Sequence, residues 1–558
     1  MNNTTEQFDT PVEPGANILV TTASEDNLAV PVQEARFGGG IIRAAMVISL
    51  GNILTRILGL LRESVLAALF GTTAIAQAFI IADNTLSIFF DLLVSGAISA
   101  ALVPVLSRYA AKAQDRREFW NIVNTLLTLG TLLLVGVISI LEIFADPLAR
   151  FMSADSPPEV KDLTAGLVRV ILFAILFLGV SSIMMAALQA MQKFAWSALS
   201  LVARNGSVVL LALVFGAWLG VWSLVLGVLL GSFMLIVLQS PGLRGNRFIP
   251  TFNFRHPAIK EIWRLYRPIF FGLLITSAAL IIDRNLANST GISSIGAMRY
   301  ATTLQQFALG LVGTAISIAI LPTLSRQANE ENLASYRYTL TSGLRLLTVL
   351  IIPATLGLLA LALPTITLLY QRGQFHDADK WLTLIALLGY LPGLPAAAFD
   401  QMLIVAFYAR KNTLTPVLVG VVSNLAYLAI ALGAVKIWHW GMIGLVLANS
   451  TQQIVHMTIM LVLLRRLFGK TSLTDGQHRL TPTLVRTVLA AVLMFAVAFL
   501  LSGLVTNILG SGLLPTLAAL IIGGGGGGIV YLVCLRVLRV EEMSLVIGAV
   551  QKKLKRSR

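Results

Sequence analysis

The sequence predicts an all-α polytopic membrane protein of 14 transmembrane helices, built as two parallel six-helix repeats followed by two C-terminal helices. Three observations predict it. Of 558 residues, 56% are hydrophobic and only 12% charged, about half the charged share of a soluble domain, and mean hydropathy is +0.83. The apolar residues fall in long runs, and a helix needs about 20 of them to cross a bilayer. One segment recurs at a fixed spacing in the second half of the chain. This composition excludes a soluble enzyme, a nucleic-acid binder and a fibrous protein.

In chain order, residues 1–40 read as a disordered acidic tail, with Glu6, Asp9, Glu13, Glu25, Asp26 and Glu34 set against Arg36 alone. No basic stretch followed by an apolar core marks a cleaved signal peptide there. An N-lobe at 41–240 holds spans at 41–70, 74–107, 119–144, 162–192, 196–218 and 221–240. A C-lobe at 259–464 holds spans at 259–288, 293–324, 338–362, 379–408, 412–435 and 440–464. Spans at 481–505 and 512–537 follow, within a region 481–537, and residues 538–558 form a basic cytoplasmic tail with an amphipathic look. The net charge of +15 lies in short loops between apolar runs. With the N-terminus inside, 29 Lys and Arg fall in inside segments and five, Arg150, Lys161, Arg372, Lys380 and Lys436, fall outside. That asymmetry predicts both termini on the cytoplasmic side. The single cysteine, Cys534, rules out an intramolecular disulfide.

Residues 95–110, SGAISAALVPVLSRYA, and 313–328, GTAISIAILPTLSRQA, share nine of sixteen residues at an offset of 218, and the same offset carries Lys193 onto Lys411. Six spans per copy is an even number, so both copies keep one orientation in the membrane. Parallel repeats of this kind flank a substrate site. This is transporter architecture, with the pathway between the lobes.

Ionisable groups inside spans are costly and mark candidate sites. Spans 1, 2, 7 and 8 share eight: Arg56, Arg62, Arg284 and Arg299 against Glu63, Asp83, Asp91 and Asp283. Guanidinium groups bind phosphate oxygens in pairs, so a cavity lined by Arg56, Arg62, Asp83, Asp91, Arg284 and Arg299 suits an anionic headgroup; structural salt bridges or snorkelling are the alternative. Arg56 and Arg62 lie about 120° apart on a straight helix, so their convergence on one cavity requires a bend, with Gly59 as the hinge. Arg169, Arg204 and Arg486 read as snorkelling or structurally paired, and Asp400 as a candidate for ion coupling. The glycine run Gly523–Gly528 either packs closely or leaves a groove. No catalytic or metal-binding motif stands in the chain: Gly469-Lys470-Thr471 lacks the earlier glycine of a phosphate loop, Leu464 taking its place. The largest outer loop, about 145–161, offers only Asp146, Asp155 and Glu159 to a glycosyltransferase or polymerase.

Three stretches resemble the MurJ (MviN) family, the lipid II flippases of the multidrug, oligosaccharidyl-lipid and polysaccharide exporter group. They are Leu54-Thr55-Arg56-Ile57-Leu58-Gly59-Leu60-Leu61-Arg62-Glu63, then Ile320-Leu321-Pro322-Thr323-Leu324-Ser325-Arg326, and Tyr370-Gln371-Arg372-Gly373-Gln374-Phe375 with Phe407-Tyr408-Ala409-Arg410-Lys411-Asn412-Thr413-Leu414-Thr415-Pro416-Val417. The resemblance covers roughly residues 41–540. It implies two lobes alternating in access, a cationic cavity on spans 1, 2, 7 and 8 with Arg56 and Arg62 as cavity arginines, and a groove on spans 13 and 14 for a polyprenyl tail. It also implies the substrate: undecaprenyl-diphosphate-linked peptidoglycan precursor, moved from inner to outer leaflet of the bacterial cytoplasmic membrane. Gln77, Phe90-Asp91, Ser95 and Thr303 depart from the family pattern, Arg299 lying one turn before Thr303. Those departures leave open a second cargo, another polyprenyl-linked oligosaccharide or an amphipathic small molecule. The expected partners are the lipid-linked substrate, membrane lipids and cell-wall synthesis machinery, with no nucleic acid. A monomer without cofactor, coupled to membrane potential or to a cation, completes the reading.

Overall fold

The computed structural model describes residues 39–95, 102–111, 116–244, 248–328, 333–467, 480–510, 512–540 and 542. The expected acidic tail and nearly all of the expected basic tail lie outside these residues. From Met46 onward the chain forms one compact unit, and the description concerns that unit.

The first lobe runs α1 (Gly39–Phe70), α2 (Ala74–Phe90), a π-helical turn Asp91–Ser95, α3 (Val103–Ala111), α4 (Arg116–Met152), α5 (Pro158–Leu172), α6 (Ala174–Ala190), α7 (Phe194–Leu219) and α8 (Trp222–Gln239). A linker leads into the second lobe: α9 (Pro257–Asn288), α10 (Ile292–Leu309), a π-helical turn Gly310–Thr314, α11 (Ala315–Arg326), α12 (Leu333–Ala360), α13 (Ala362–Tyr370), α14 (Asp377–Tyr390), α15 (Gly393–Ala409), α16 (Leu414–Leu432) and α17 (Gly441–Leu467). Two helices close the chain, α18 (Leu480–Leu509) and α19 (Leu513–Val537).

Several expected spans are helix pairs rather than single rods, for local reasons. Pro392 lacks the N–H that would continue the ladder, and α14 and α15 meet there at 46°. Ser450 of α17 fills the break, its hydroxyl accepting from the Gly393 N–H at 3.2 Å. A side chain at Gly393 would stand 2.8 Å from the Ser450 Cα, so only glycine fits. The π-turn after α2 strands carbonyls that Tyr266 of α9 satisfies, its hydroxyl donating to Leu92 O at 2.6 Å and to Leu93 O at 3.1 Å.

The two lobes carry the repeat in their backbone. Their π-turns begin at Asp91 and Gly310, 219 residues apart. Left-handed residues Gln192 (φ 59) and Lys411 (φ 60) close α6 and α15. Each is followed by the same closure, Lys193 N to Leu188 O at 2.8 Å and Asn412 N to Phe407 O at 3.0 Å. The structural equivalent of Lys411 is therefore Gln192 rather than Lys193, because one residue separates the two lobes' registers by this point.

Ten helical segments are long and apolar enough to cross a membrane, or up to 11 when the bent α14–α15 pair counts as one span, among the described residues. The expected 14 also counts α1, α9 and α10–α11, each of which contains residues whose side chains lie outside those described.

The six-glycine run of α19 has two faces. Side chains at Gly523 and Gly527 would meet Ala498 of α18 at 2.9 Å, whereas Gly525 and Gly528 face open space. Tyr531 of α19 anchors the pair to α12 by donating to Val349 O at 2.6 Å.

Candidate substrate cavity between the lobes

A cavity of about 330 Å³ opens between α1, α7 and α10, lined by Arg56, Arg62, Glu63, Asn205, Arg299 and Gln306 among others. Buried charge needs a partner of opposite sign, and the walls supply one for each buried arginine. Arg62, 8% exposed, meets Asp83 of α2 at 2.8 Å, and its guanidinium lies 5.8 Å over the Phe79 ring. Arg299 reaches across from the second lobe. Its Nη2 donates to Glu63 Oε1 at 2.8 Å and to Asp83 Oδ2 at 2.9 Å, and its Nε donates to Glu63 Oε1 at 3.1 Å. Asp83 thus serves two guanidinium groups at once.

Arg56 is bound differently. Its Nη1 donates to the Gln306 carbonyl of α10 at 2.9 Å, and it pairs with no carboxylate among the described residues. The guanidinium lies flat on Gly310, the first residue of the second π-turn, where a Cβ would fall 1.7 Å from the Arg56 Cζ. α1 is helical through Gly59, which lines the same wall as Arg56 and Arg62. Two long side chains reach one cavity from a single continuous helix.

A second cavity of about 400 Å³ lies within the second lobe, and Thr302 and Gln306 line both. Arg284 and Asp283 are there, 3.7 Å apart, with Tyr427 donating to Asp283. Asp400 also lines it, 2.5 Å from His456 Nδ1. So Arg56, Arg62, Asp83 and Arg299 come together, Arg284 stands in the neighbouring cavity, and Asp91 stands exposed at the first π-turn, lining neither.

Arg204 of α7 belongs to the central cluster, within electrostatic reach of Asp83, Arg62, Asp91 and Arg299. The sequence reading had set it aside as snorkelling or structurally paired. What brings it inward is the packing of α7 on α8, where Gly227 and Gly231 leave no room for a side chain, a Cβ at Gly231 falling 2.7 Å from the Arg204 carbonyl. Arg169 and Arg486 do pair locally, with Asp146 at 2.8 Å and with the Arg539 carbonyl at 3.3 Å. Arg56, Arg62, Arg204 and Arg299 against Glu63, Asp83 and, through Arg204, Asp91 leave a formal excess of one positive charge in the cluster.

One end of the cavity is sealed by contacts between the lobes. Gln77, a departure from the family pattern, is buried and hydrogen-bonds the Asn288 amide of α9. Thr72 donates to Asp379, Tyr300 donates to Gly71 O at 2.6 Å, and Gln374 N donates to Ala68 O at 2.9 Å.

The model of the family described as "Lipid II flippase MurJ" matches residues 66–519. The chain belongs to the MurJ family. A curated relative from Vibrio cholerae, named "Probable lipid II flippase MurJ", is 30% identical over 432 residues, covering 75% of this chain and 82% of the relative. One of the same name from Haemophilus influenzae is 29% identical, covering 80% and 89%. The fold is similar to a solved lipid II flippase MurJ in an inward closed conformation, with TM-score 0.73 at 22% identity over 88% of this chain and 99% of that one. It is also similar to an inward-facing multidrug resistance transporter of the MATE family, with TM-score 0.62 at 16% identity over 76% and 98%. The fold is thus that of an all-α, multi-pass transporter, and the relatives place it in the bacterial inner membrane. The curated relatives do not favour the second cargo left open by the departures in sequence. Arg56 and Arg62 precede the matched residues, so their part in the cavity rests on the geometry above.

Proposed function

We propose that this protein translocates lipid II, an undecaprenyl-diphosphate-linked peptidoglycan precursor, from the inner to the outer leaflet. The supporting observation is the guanidinium cluster between the lobes, with its net positive charge and one arginine, Arg56, bound to a backbone carbonyl and, among the described residues, to no carboxylate. A diphosphate carries complementary charge, and paired N–H donors fit its oxygens. The sealed end corresponds to the outer side when both termini are cytoplasmic, so cargo enters from the inner leaflet and leaves once the Gln77–Asn288 and Thr72–Asp379 contacts part. Membrane potential assists, at about 2.3 kcal/mol per charge for each 100 mV. The open face of the α19 glycine run, Gly525 and Gly528, offers a lane for the polyprenyl tail. The protein acts as a monomeric transporter beside the cell-wall synthesis machinery, and no covalent step is assigned to it.

The test is a flipping assay in proteoliposomes with lipid II and with a polyprenyl-linked oligosaccharide of unrelated glycan. Flipping of lipid II supports the reading. Flipping of the unrelated lipid alone overturns it.

A further inference from the structure

The linker between the lobes is not a plain loop. After a 3₁₀ turn at Ser240–Leu243, residues 248–256 run as a strap across α4 on the way to α9. It is pinned at three points. Lys193 Nζ donates to Gly242 O at 2.7 Å, Thr251 N donates to Thr128 Oγ1 of α4 at 3.2 Å, and His256 Nε2 meets Glu118 at 3.3 Å. Yet the strap leaves Phe248, Ile249, Phe252 and Phe254 each more than half exposed, Phe248 and Phe252 on the rim of the apolar trough beneath it. Large apolar side chains displayed in this way mark contact with a membrane or a partner.

Beneath the strap lie two adjoining cavities with opposite chemistry. The first, of about 700 Å³, has Arg117, Lys193 and Arg244 in its walls beside Trp120 and Asn121. The second, of about 800 Å³, is an apolar trough between α4 and α8 formed by Leu127, Leu132, Met184, Ile236, Phe248 and Phe252 among others. Trp120, Asn124 and Arg244 line both, so the two are continuous. Each is of the size that encloses small ligands. Among the described residues no carboxylate lines either one, and the nearby Glu118 is engaged by His256. A basic mouth joined to an apolar trough, under a strap with exposed aromatics, matches a molecule with an anionic head and a hydrocarbon chain.

We propose that this pocket binds one anionic glycerophospholipid, its phosphate held by Arg117, Lys193 and Arg244 and an acyl chain laid between α4 and α8. The site is on the flank of the first lobe, apart from the central cavity, and does not depend on the cargo proposed above. By packing against Phe248 and Phe252, the lipid would hold the interlobe strap to α4.

The test uses the full-length protein in detergent, with thermal unfolding and native mass spectrometry as readouts. The probes are phosphatidylglycerol, phosphatidylcholine of the same chains, and inorganic phosphate. One phosphatidylglycerol should be retained per protein and should raise the melting temperature more than phosphatidylcholine does, while inorganic phosphate should have no effect. Arg117→Gln combined with Arg244→Gln should weaken phosphatidylglycerol binding at least tenfold and remove its advantage over phosphatidylcholine. Thr131→Trp fills the trough while leaving the bases in place, and should weaken binding as much; it carries the test if the double variant is unstable. Equal effects of the two lipids, or binding by the variants within twofold of wild type, would overturn the proposal. A melting shift reproduced by inorganic phosphate alone would also overturn it, since the site would then be one for a free anion.

Discussion

Gly310→Ala separates the placement of Arg56 from the stability of the fold. Gly310 has ordinary helical angles, φ −74 and ψ −32, so alanine costs the backbone nothing and gains up to about 1 kcal/mol of helix propensity. The new Cβ, however, would fall 1.7 Å from the Arg56 Cζ and 1.9 Å from Nη1. Arg56 is the end of a flexible side chain, so it moves while the backbone stays, retreating by about 1.7 Å to restore ordinary contact. Its 2.9 Å hydrogen bond to Gln306 O is lost, and with it the position from which it meets a phosphate. A hydrogen bond to a charged group is worth about 1.5–3 kcal/mol. At about 1.36 kcal/mol per tenfold, flipping should therefore slow by roughly one to two orders of magnitude. The assay is initial flipping rate in proteoliposomes beside melting temperature in detergent. An unchanged flipping rate with unchanged melting temperature would refute the reasoning, because Arg56 would then have been displaced without consequence.

Other perturbations sort the same residues. Arg56→Ala should abolish flipping at unchanged melting temperature, whereas Arg62→Ala leaves the buried Asp83 to Arg299 alone and should also cost stability, by less than the about 3–5 kcal/mol of a buried pair broken outright, read by denaturation in detergent. Cysteines replacing Thr72 and Asp379, in a chain lacking Cys534, should cross-link the sealed end and stop flipping until reduced; flipping by the cross-linked form would show that this end never opens. Gly523→Val should destabilise by about 1–3 kcal/mol through overpacking against Ala498, and Gly525→Val, facing open space, should leave stability alone.

Much of this was written in local sequence. Apolar runs and basic loops located the helices, and the charges on spans 1, 2, 7 and 8 pointed at Arg62, Asp83 and Arg299, which do converge. What was not legible depends on contacts distant in sequence. Arg204 enters the cluster because Gly227 and Gly231 draw α8 against its own backbone. Gln77 looked like a lost acid until Asn288, 211 residues away, supplied its partner. The strap at 248–256 has no helical or strand period, so its trough appears only once α4 and α8 are in place.

The position of Arg299 has a further consequence. It is rooted in the second lobe, yet its acceptors, Glu63, Asp83 and Asn84, all belong to the first, while Arg56 crosses the other way to Gln306. The groups proposed to meet a passenger are therefore also the rivets of the empty machine. Pulling the lobes apart with nothing aboard would take Arg299 away from Glu63 and leave Asp83 to Arg62 alone, whereas an incoming dianion takes over the guanidinium groups as they are released. Such a carrier idles shut, and leakage is suppressed by the same charges that grip the load.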